Sequence, residues 1–175
     1  MDGWRNVWVM ALTIVGTLTA MFSWTRIFWL HLRERGASDA EVGWAAFCLL
    51  LAYRLPQVAG GLLADRLGRK SIVVLGTFGM AAAYAGVAVA PGWRLPVAAL
   101  SVVWMIGALQ WPALVSLVAD SVPEAQRGRA MGLLEAGSMI GITAGPLLGE
   151  GALRRSSSLP EAVRLLLFGS CAIYA

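Results

Sequence analysis

Residues 61–70 read Gly61-Leu62-Leu63-Ala64-Asp65-Arg66-Leu67-Gly68-Arg69-Lys70, and they separate two long apolar runs. Gly68 permits a sharp reversal of the chain, because glycine tolerates backbone angles that other residues avoid. Gly61 lets a neighbouring helix approach closely, and Asp65 can form an ion pair with Arg69. The stretch therefore predicts a tight, charged turn between two antiparallel helices at the edge of a membrane.

The composition around this turn excludes a water-soluble domain. Of the 175 residues, 58% are hydrophobic and 14% are charged, and the mean hydropathy is +0.70, whereas soluble domains carry about 25% charged residues. The net charge of +4 comes from 14 basic and 10 acidic residues, which cluster between the apolar runs and form no basic stripe. We expect the lipid bilayer as a partner and no nucleic acid.

Six apolar runs are candidates for membrane helices, since a bilayer core about 30 Å thick requires roughly 20 helical residues. They cover residues 7–32, 41–63, 71–90, 95–119, 130–149 and 162–175. The short connections predict a bundle of antiparallel neighbours, and Ser38 with Glu41 has the spacing of a capping box at the start of the second helix. The sixth run is too short to cross, so we expect the chain to be a fragment.

Two loop sequences carry a family resemblance. The stretch from Gly61 to Lys70 resembles the signature loop of the major facilitator superfamily, G-x-L-a-D-r-x-G-r-r, and a related pattern follows the fourth run, with Asp120 before Ser121-Val122-Pro123 and with Arg127-Gly128-Arg129 after it. The resemblance implies an all-α integral membrane fold. Residues 1–175 would form the N-terminal six-helix half of a twelve-helix protein, built from two inverted three-helix repeats with the sixth helix incomplete.

The same resemblance implies a cytoplasmic latch. In the family this loop is thought to hold the two halves together in the outward-facing state, and an acidic residue at the end of the fourth helix joins the network. The corresponding residues in this chain are Gly61, Asp65, Arg66, Gly68, Arg69, Lys70 and Asp120.

The fifth run contains a glycine repeat. Gly137, Gly141, Gly145 and Gly149 recur every four residues, with Pro146 beside the third, and this spacing places them on one face for close helix packing. Together with Gly132, most of them also fit the spacing of a motif found in drug-exporting family members, but Glu150 replaces its last glycine. Both a drug-efflux branch and generic close packing remain open. No basic residue lies between Arg94 and Arg127, which argues against proton antiport through a fourth-helix arginine.

Candidate substrate or coupling residues are Arg54, Arg26, Gln110, Tyr53 and Trp104. A central arginine costs about 3 kcal/mol in a membrane unless it faces a cavity or a partner, and no acid lies at matching depth in the first four helices. Either a C-terminal half supplies the partner or an anionic substrate neutralises the charge. For Arg26, reaching the interface with a long side chain is an equal alternative. Tyr and Trp also mark membrane interfaces.

The resemblance implies secondary active transport of a small solute by alternating access, with export as one direction. The alternatives are a facilitator or anion symporter, and a non-transporting membrane scaffold or receptor. We expect no enzyme, no cofactor and no metal, because the sequence has no ligand cluster, phosphate loop or activated nucleophile. The partners would be a small-molecule substrate and a missing C-terminal half or a second chain. Basic residues are balanced between the two sides, so a cytoplasmic N-terminus rests on the resemblance, and the Arg-rich composition suggests a bacterial inner membrane.

Overall fold

The computed structural model describes residues 2–174, and side chains from residue 3 onward. Over this range the chain forms seven α-helices and a 3₁₀ turn at Glu124–Gln126, without strands. The helices are α1 (Asp2–Glu34), α2 (Asp39–Arg54), α3 (Pro56–Leu67), α4 (Arg69–Val89), α5 (Arg94–Asp120), α6 (Arg127–Arg155) and α7 (Leu159–Tyr174). The predicted all-α class is confirmed.

Five segments between residues 2 and 174 are long and apolar enough to cross a membrane. They are Gly3–Glu34, Asp39–Leu67, Arg69–Val89, Arg94–Asp120 and Glu124–Arg155. The last of them contains α6, which runs further than the predicted residues 130–149. The added C-terminal turn puts Glu150 and Arg154 on the same face of the helix. The Arg154 Nε donates a hydrogen bond to Glu150 Oε1 at 3.2 Å. The chain is a multi-pass membrane protein.

The second predicted helix is interrupted in the structure. Residues 41–63 were expected to form one helix, but α2 ends at Arg54 and α3 begins at Pro56. Proline lacks a backbone N–H and its ring crowds the preceding turn, which bends or breaks a helix. Leu55 keeps helical angles, with its N–H donating to the Leu51 carbonyl at 2.9 Å, so α2 and α3 still form one membrane-length segment with a break in it.

The start of α2 has the predicted capping box. The Glu41 N–H donates to Ser38 Oγ at 3.3 Å, and the Ser38 N–H donates to Glu41 Oε2 at 2.9 Å. Two backbone donors that a helix start leaves free are thereby satisfied, which fixes where the chain turns back into the membrane.

Helix α1 packs along α6 through the glycine face. An added Cβ would lie 3.0 Å from the Ala11 carbonyl oxygen at Gly137, 2.9 Å from that of Val15 at Gly141, and 2.9 Å from that of Thr19 at Gly145. Side chains larger than hydrogen would therefore push the helices apart. The contact positions ascend together, so α1 and α6 run in parallel. Pro146 lies on the exposed side of α6, which continues through it.

The main buried cluster lies where α1, α4, α5 and α7 meet. It includes Trp24, Phe28, Tyr84, Leu100 and Leu167, all almost fully buried. Large apolar side chains also lie on the outside of the bundle, as at Leu12, Trp44, Val58, Leu75 and Leu147. A soluble protein rarely exposes so much apolar surface, whereas a bilayer solvates it.

Candidate functional site

The turn between α3 and α4 is a single glycine. Gly68 has φ +86°, a left-handed conformation that costs glycine little and strains other residues. Its N–H donates to the Ala64 carbonyl at 3.0 Å, and its own carbonyl accepts from the Ile72 N–H at 3.2 Å. The residue thus ends one helix and starts the next, and it places Arg69 at the first position of α4.

Arg69 forms an ion pair with Asp120, the last residue of α5. The Arg69 guanidinium donates directly to the Asp120 carboxylate. Both charges interact unfavourably with the macrodipole of their own helix, because the cation lies at the N-terminus of α4 and the anion at the C-terminus of α5. Pairing offsets both penalties. The two side chains are 36% and 59% exposed, so the contact is a surface ion pair that can open.

A second arginine also contacts the end of α5. The Arg127 Nε donates to the Ala119 carbonyl at 3.2 Å, which satisfies one of the acceptors that a helix C-terminus leaves free. Sequence analysis did not assign Arg127 this role. The available signal was a basic residue a few positions beyond the end of a helix, where cations favour free carbonyls.

Asp65 does not pair with Arg69, contrary to expectation. Residues four apart face each other only on a continuous helix, and the reversal at Gly68 takes Arg69 away from Asp65. Asp65 is exposed and joins no ion pair among side chains 3–174. The exposed Arg66 and Lys70 likewise form no ion pair within that range.

The expected close contact at Gly61 is not made within the described residues. An added Cβ on Gly61 would meet nothing within 4 Å among the described residues, whereas one on Gly60 would lie 2.8 Å from the Leu109 carbonyl oxygen. The rotation of α3 about its axis turns Gly60, not Gly61, toward α5. Adjacent helical residues point about 100° apart, and the sequence does not fix that rotation.

Three of the substrate candidates lie together where α2 breaks. The Tyr53 and Trp104 rings pack edge to face with centroids 5.6 Å apart, and the Arg54 Cζ lies 5.5 Å from the Tyr53 ring centroid. We call Tyr53, Arg54 and Trp104 the aromatic–arginine cluster. The Trp104 Nε1 is buried without a hydrogen-bond partner among the described residues, although buried donors normally have one. The cluster thus combines an exposed cation, two aromatic rings and a buried donor that makes no hydrogen bond within the described residues.

Gln110 lies elsewhere and is already engaged. Its Nε2 donates to the Val73 carbonyl at 2.6 Å and to Thr77 Oγ1 at 3.1 Å. These bonds join α5 to α4 in the interior of the span, where an unpaired amide would be costly. The contacts describe a side chain that holds two helices together.

Arg26 is separate from the cluster. It lines a small cavity of about 30 Å³ between α1 and α6, together with Pro146 and Glu150. Glu150 is the residue that replaces the last glycine of the fifth-helix pattern, and its carboxylate pairs with Arg154 at 3.2 Å. The Arg26 side chain is exposed. The structure therefore places the two candidate arginines on different helices and in different surroundings.

The fold and this charged edge are those of a polytopic α-helical membrane protein, with a glycine turn and an ion pair between two helix ends. A sequence model of the Major Facilitator Superfamily matches residues 9–174. The chain belongs to the Major Facilitator Superfamily, as the loop sequences predicted.

Curated relatives carry the name "Multidrug resistance protein MdtH". The protein from Salmonella arizonae is 32% identical over 141 residues, which cover 77% of this chain and 35% of the relative. The one from Klebsiella pneumoniae is 32% identical over 142 residues with the same coverage. The one from Escherichia coli O1:K1 / APEC is 34% identical over 143 residues, again with 77% and 35% covered. The chain thus spans about a third of the length of these relatives.

Proposed function

We propose that this chain is the N-terminal half of a secondary transporter that moves a small solute across a bacterial inner membrane by alternating access. Family membership and the relatives' shared name support this proposal, and the reference to multidrug resistance in that name favours export as the direction of transport. The other wall of the pathway comes from a C-terminal half or a second chain. The N-terminus then lies in the cytoplasm, on the side of the Arg69–Asp120 pair.

The observation that carries the proposal is the Arg69–Asp120 ion pair. We call it the latch pair. An exposed pair of this kind contributes about 0–1 kcal/mol, and 1 kcal/mol changes a two-state equilibrium about fivefold. At the upper end of this range the pair biases one conformation, and throughout the range it is weak enough to break in every cycle. Alternating access requires that contacts at an edge that opens and closes can break in each cycle.

The substrate would meet the aromatic–arginine cluster. Tyr53 and Trp104 present apolar faces, the Trp104 Nε1 donor needs an acceptor, and Arg54 makes no ion pair within residues 3–174. An amphipathic solute with an acceptor or a negative group fits these features. The unpaired Arg54 also favours a second candidate, anion symport, in which the substrate itself neutralises the charge.

The test is transport by cells that express the reading frame encoding this chain. Energised cells are loaded with an amphipathic cationic dye or an amphipathic anionic dye, and the rate of dye loss is compared with that of cells carrying the empty vector. Arg69→Gln and Asp120→Asn each remove one partner of the latch pair. Arg155→Gln is the control, because it removes an exposed arginine at the C-terminal end of α6, outside the residues that the resemblance assigns to the latch.

We expect dye export by the wild type, slower export by Arg69→Gln and Asp120→Asn, and near-normal export by Arg155→Gln. Faster loss of the anionic dye alone would favour the anion-selective candidate. If correctly inserted wild-type protein changed the flux of neither dye and of no other solute in a broad panel, the transporter proposal would be wrong. The scaffold or receptor alternative would then stand.

A further inference from the structure

A groove lies between the first turns of α1 and α6, on the same side as the latch pair. Its volume is about 560 Å³, and its lining consists of Trp4, Trp8, Arg129 and Leu133. The side is fixed by the contact of Gly3 with the Ser121 backbone, one residue beyond Asp120. We call the groove lined by these four residues the headgroup groove. The latch pair and the cluster at the α2 break do not contribute to its lining.

The groove has two layers that match the depth profile of a lipid. Trp4 and Trp8 are four residues apart on α1, and Arg129 and Leu133 are four apart on α6, so each pair lies on one helix face, one turn apart. Because α1 and α6 run in parallel from this edge, Trp4 and Arg129 form the outer layer. Trp8, which is 53% exposed, and Leu133 form the layer about 6 Å deeper. The outer layer is polar and cationic, and the inner layer is apolar.

The outer layer is held in place by its own contacts. The Trp4 Nε1 donates to Gln126 Oε1 at 2.6 Å, and the Arg129 Cζ lies 5.2 Å from the Trp4 ring centroid. Arg129 joins no ion pair with the acids whose side chains are described. A guanidinium that lies over an indole ring and forms no ion pair with a described acid keeps its donors available for an anion. The exposed Arg5 adds positive charge on the same helix end.

We propose that the headgroup groove binds an anionic phospholipid. The phosphate accepts hydrogen bonds from the Arg129 guanidinium, whose fork geometry matches phosphate oxygens, and an acyl chain lies over Trp8 and Leu133. Charge complementarity selects an anionic lipid over a zwitterionic one, and the layering selects a lipid over a soluble anion. The bound lipid joins the start of α1 to the start of α6. This proposal does not depend on what the protein transports.

Native mass spectrometry of the purified chain, released from micelles that contain defined lipid, measures this binding. The probes are phosphatidylglycerol, phosphatidylcholine with the same acyl chains, and inorganic phosphate as a competitor. Arg129→Gln is compared with Arg155→Gln, which makes the same change in charge at the opposite end of α6, on an exposed arginine outside the groove. Thermal unfolding in detergent shows which variants are folded.

We expect phosphatidylglycerol to bind more tightly than phosphatidylcholine, and Arg129→Gln to weaken phosphatidylglycerol binding about fivefold. Arg155→Gln should leave it unchanged, and inorganic phosphate should not displace the lipid. Equal binding of both lipids, equal losses in the two variants, or displacement by phosphate would each overturn the proposal. So would a groove filled only by a second copy of the chain.

If Arg129→Gln fails to fold, Trp8→Ala tests the inner layer. It leaves the Arg129 charge intact and should weaken the binding of long-chain phosphatidylglycerol more than that of a short-chain form. Loss of this chain-length dependence in the variant supports the groove. Unchanged binding of both forms in folded Trp8→Ala protein contradicts it.

Discussion

The Arg69 guanidinium is bonded to the Asp120 carboxylate, and this pair joins the first residue of α4 to the last residue of α5. Each side chain occupies the helix end that disfavours its charge. The opposite charge of its partner therefore offsets an unfavourable interaction with the helix dipole, which an ordinary surface residue does not have. The glycine turn at Gly68 makes the contact possible, because it directs Arg69 away from α3. A one-residue turn and two helix ends thus build the charged edge of the bundle.

The latch pair should show a small, salt-dependent coupling energy. A double-mutant cycle with Arg69→Gln and Asp120→Asn should give about 0.2–1 kcal/mol, since both side chains are partly exposed. The measurement is unfolding of the purified chain in mixed micelles at low and high salt. Strictly additive single effects would show that the two residues do not interact in the folded protein.

The glycine face should not tolerate a methyl group. In Gly145→Ala the new Cβ would lie 2.7 Å from the Phe22 Cβ and 2.9 Å from the Thr19 carbonyl oxygen, so we expect a loss of about 1–3 kcal/mol in unfolding free energy. The control is Gly151→Ala on the same helix, where a Cβ meets nothing within 4 Å. It should be neutral or stabilise by up to about 1 kcal/mol. Equal effects at the two positions would contradict the α1–α6 packing.

Gln110 should matter for stability and not for substrate choice. Gln110→Leu removes the bonds to Val73 and Thr77 and should cost between about 0.6 and about 1.7 kcal/mol, the average and the maximum for hydrogen bonds between membrane helices. Gln57→Leu is the control, because Gln57 makes no side-chain hydrogen bond within the described residues. Thermal unfolding in detergent compares them. A stable Gln110→Leu protein with altered dye selectivity would instead place Gln110 in the transport pathway.

Trp104→Phe should separate binding from folding at the aromatic–arginine cluster. The change removes a buried donor that has no partner within the described residues, which offsets the packing lost with the smaller ring, so the unfolding free energy should change by no more than about 1 kcal/mol. If a substrate acceptor satisfies Nε1, the KM for that substrate should rise about three- to tenfold. Trp93→Phe, in the α4–α5 connection, is the control and should not change KM. An unchanged KM for Trp104→Phe would remove this donor from the substrate site.

The fold class could be predicted from the sequence because membrane helices have a recognisable pattern of residues. Runs of about 20 apolar residues and short charged turns are required by the bilayer, and the loop from Gly61 to Lys70 identified the family. The break in the second predicted helix was harder to predict from the sequence. Pro56 interrupts its helix, whereas α5 and α6 continue through Pro112 and Pro146. The local chemistry of proline is the same at all three positions, so the packing of the surrounding helices determines whether the helix breaks or continues.

The candidate site was harder to predict because its contacts join different helices. Spacing alone favours Asp65 as the partner of Arg69, and only the reversal at Gly68 gives that contact to Asp120. Likewise, the choice between Gly60 and Gly61 depends on how α3 is rotated. Hydropathy describes which segments enter the membrane and carries little information about helix rotation, so it does not identify partners across helices. Asp120 was placed in the expected latch only by the family resemblance, and the structure shows that its partner is Arg69.

The most direct test of the central claim is a charge swap at the latch pair, measured as dye transport by correctly inserted protein. Arg69→Asp and Asp120→Arg each place like charges side by side and should slow transport. The double variant restores an ion pair between α4 and α5, and its rate should return to within about twofold of the wild type. Recovery would show that the pair itself controls the transport cycle. A double variant as slow as the slower single variant would contradict the account.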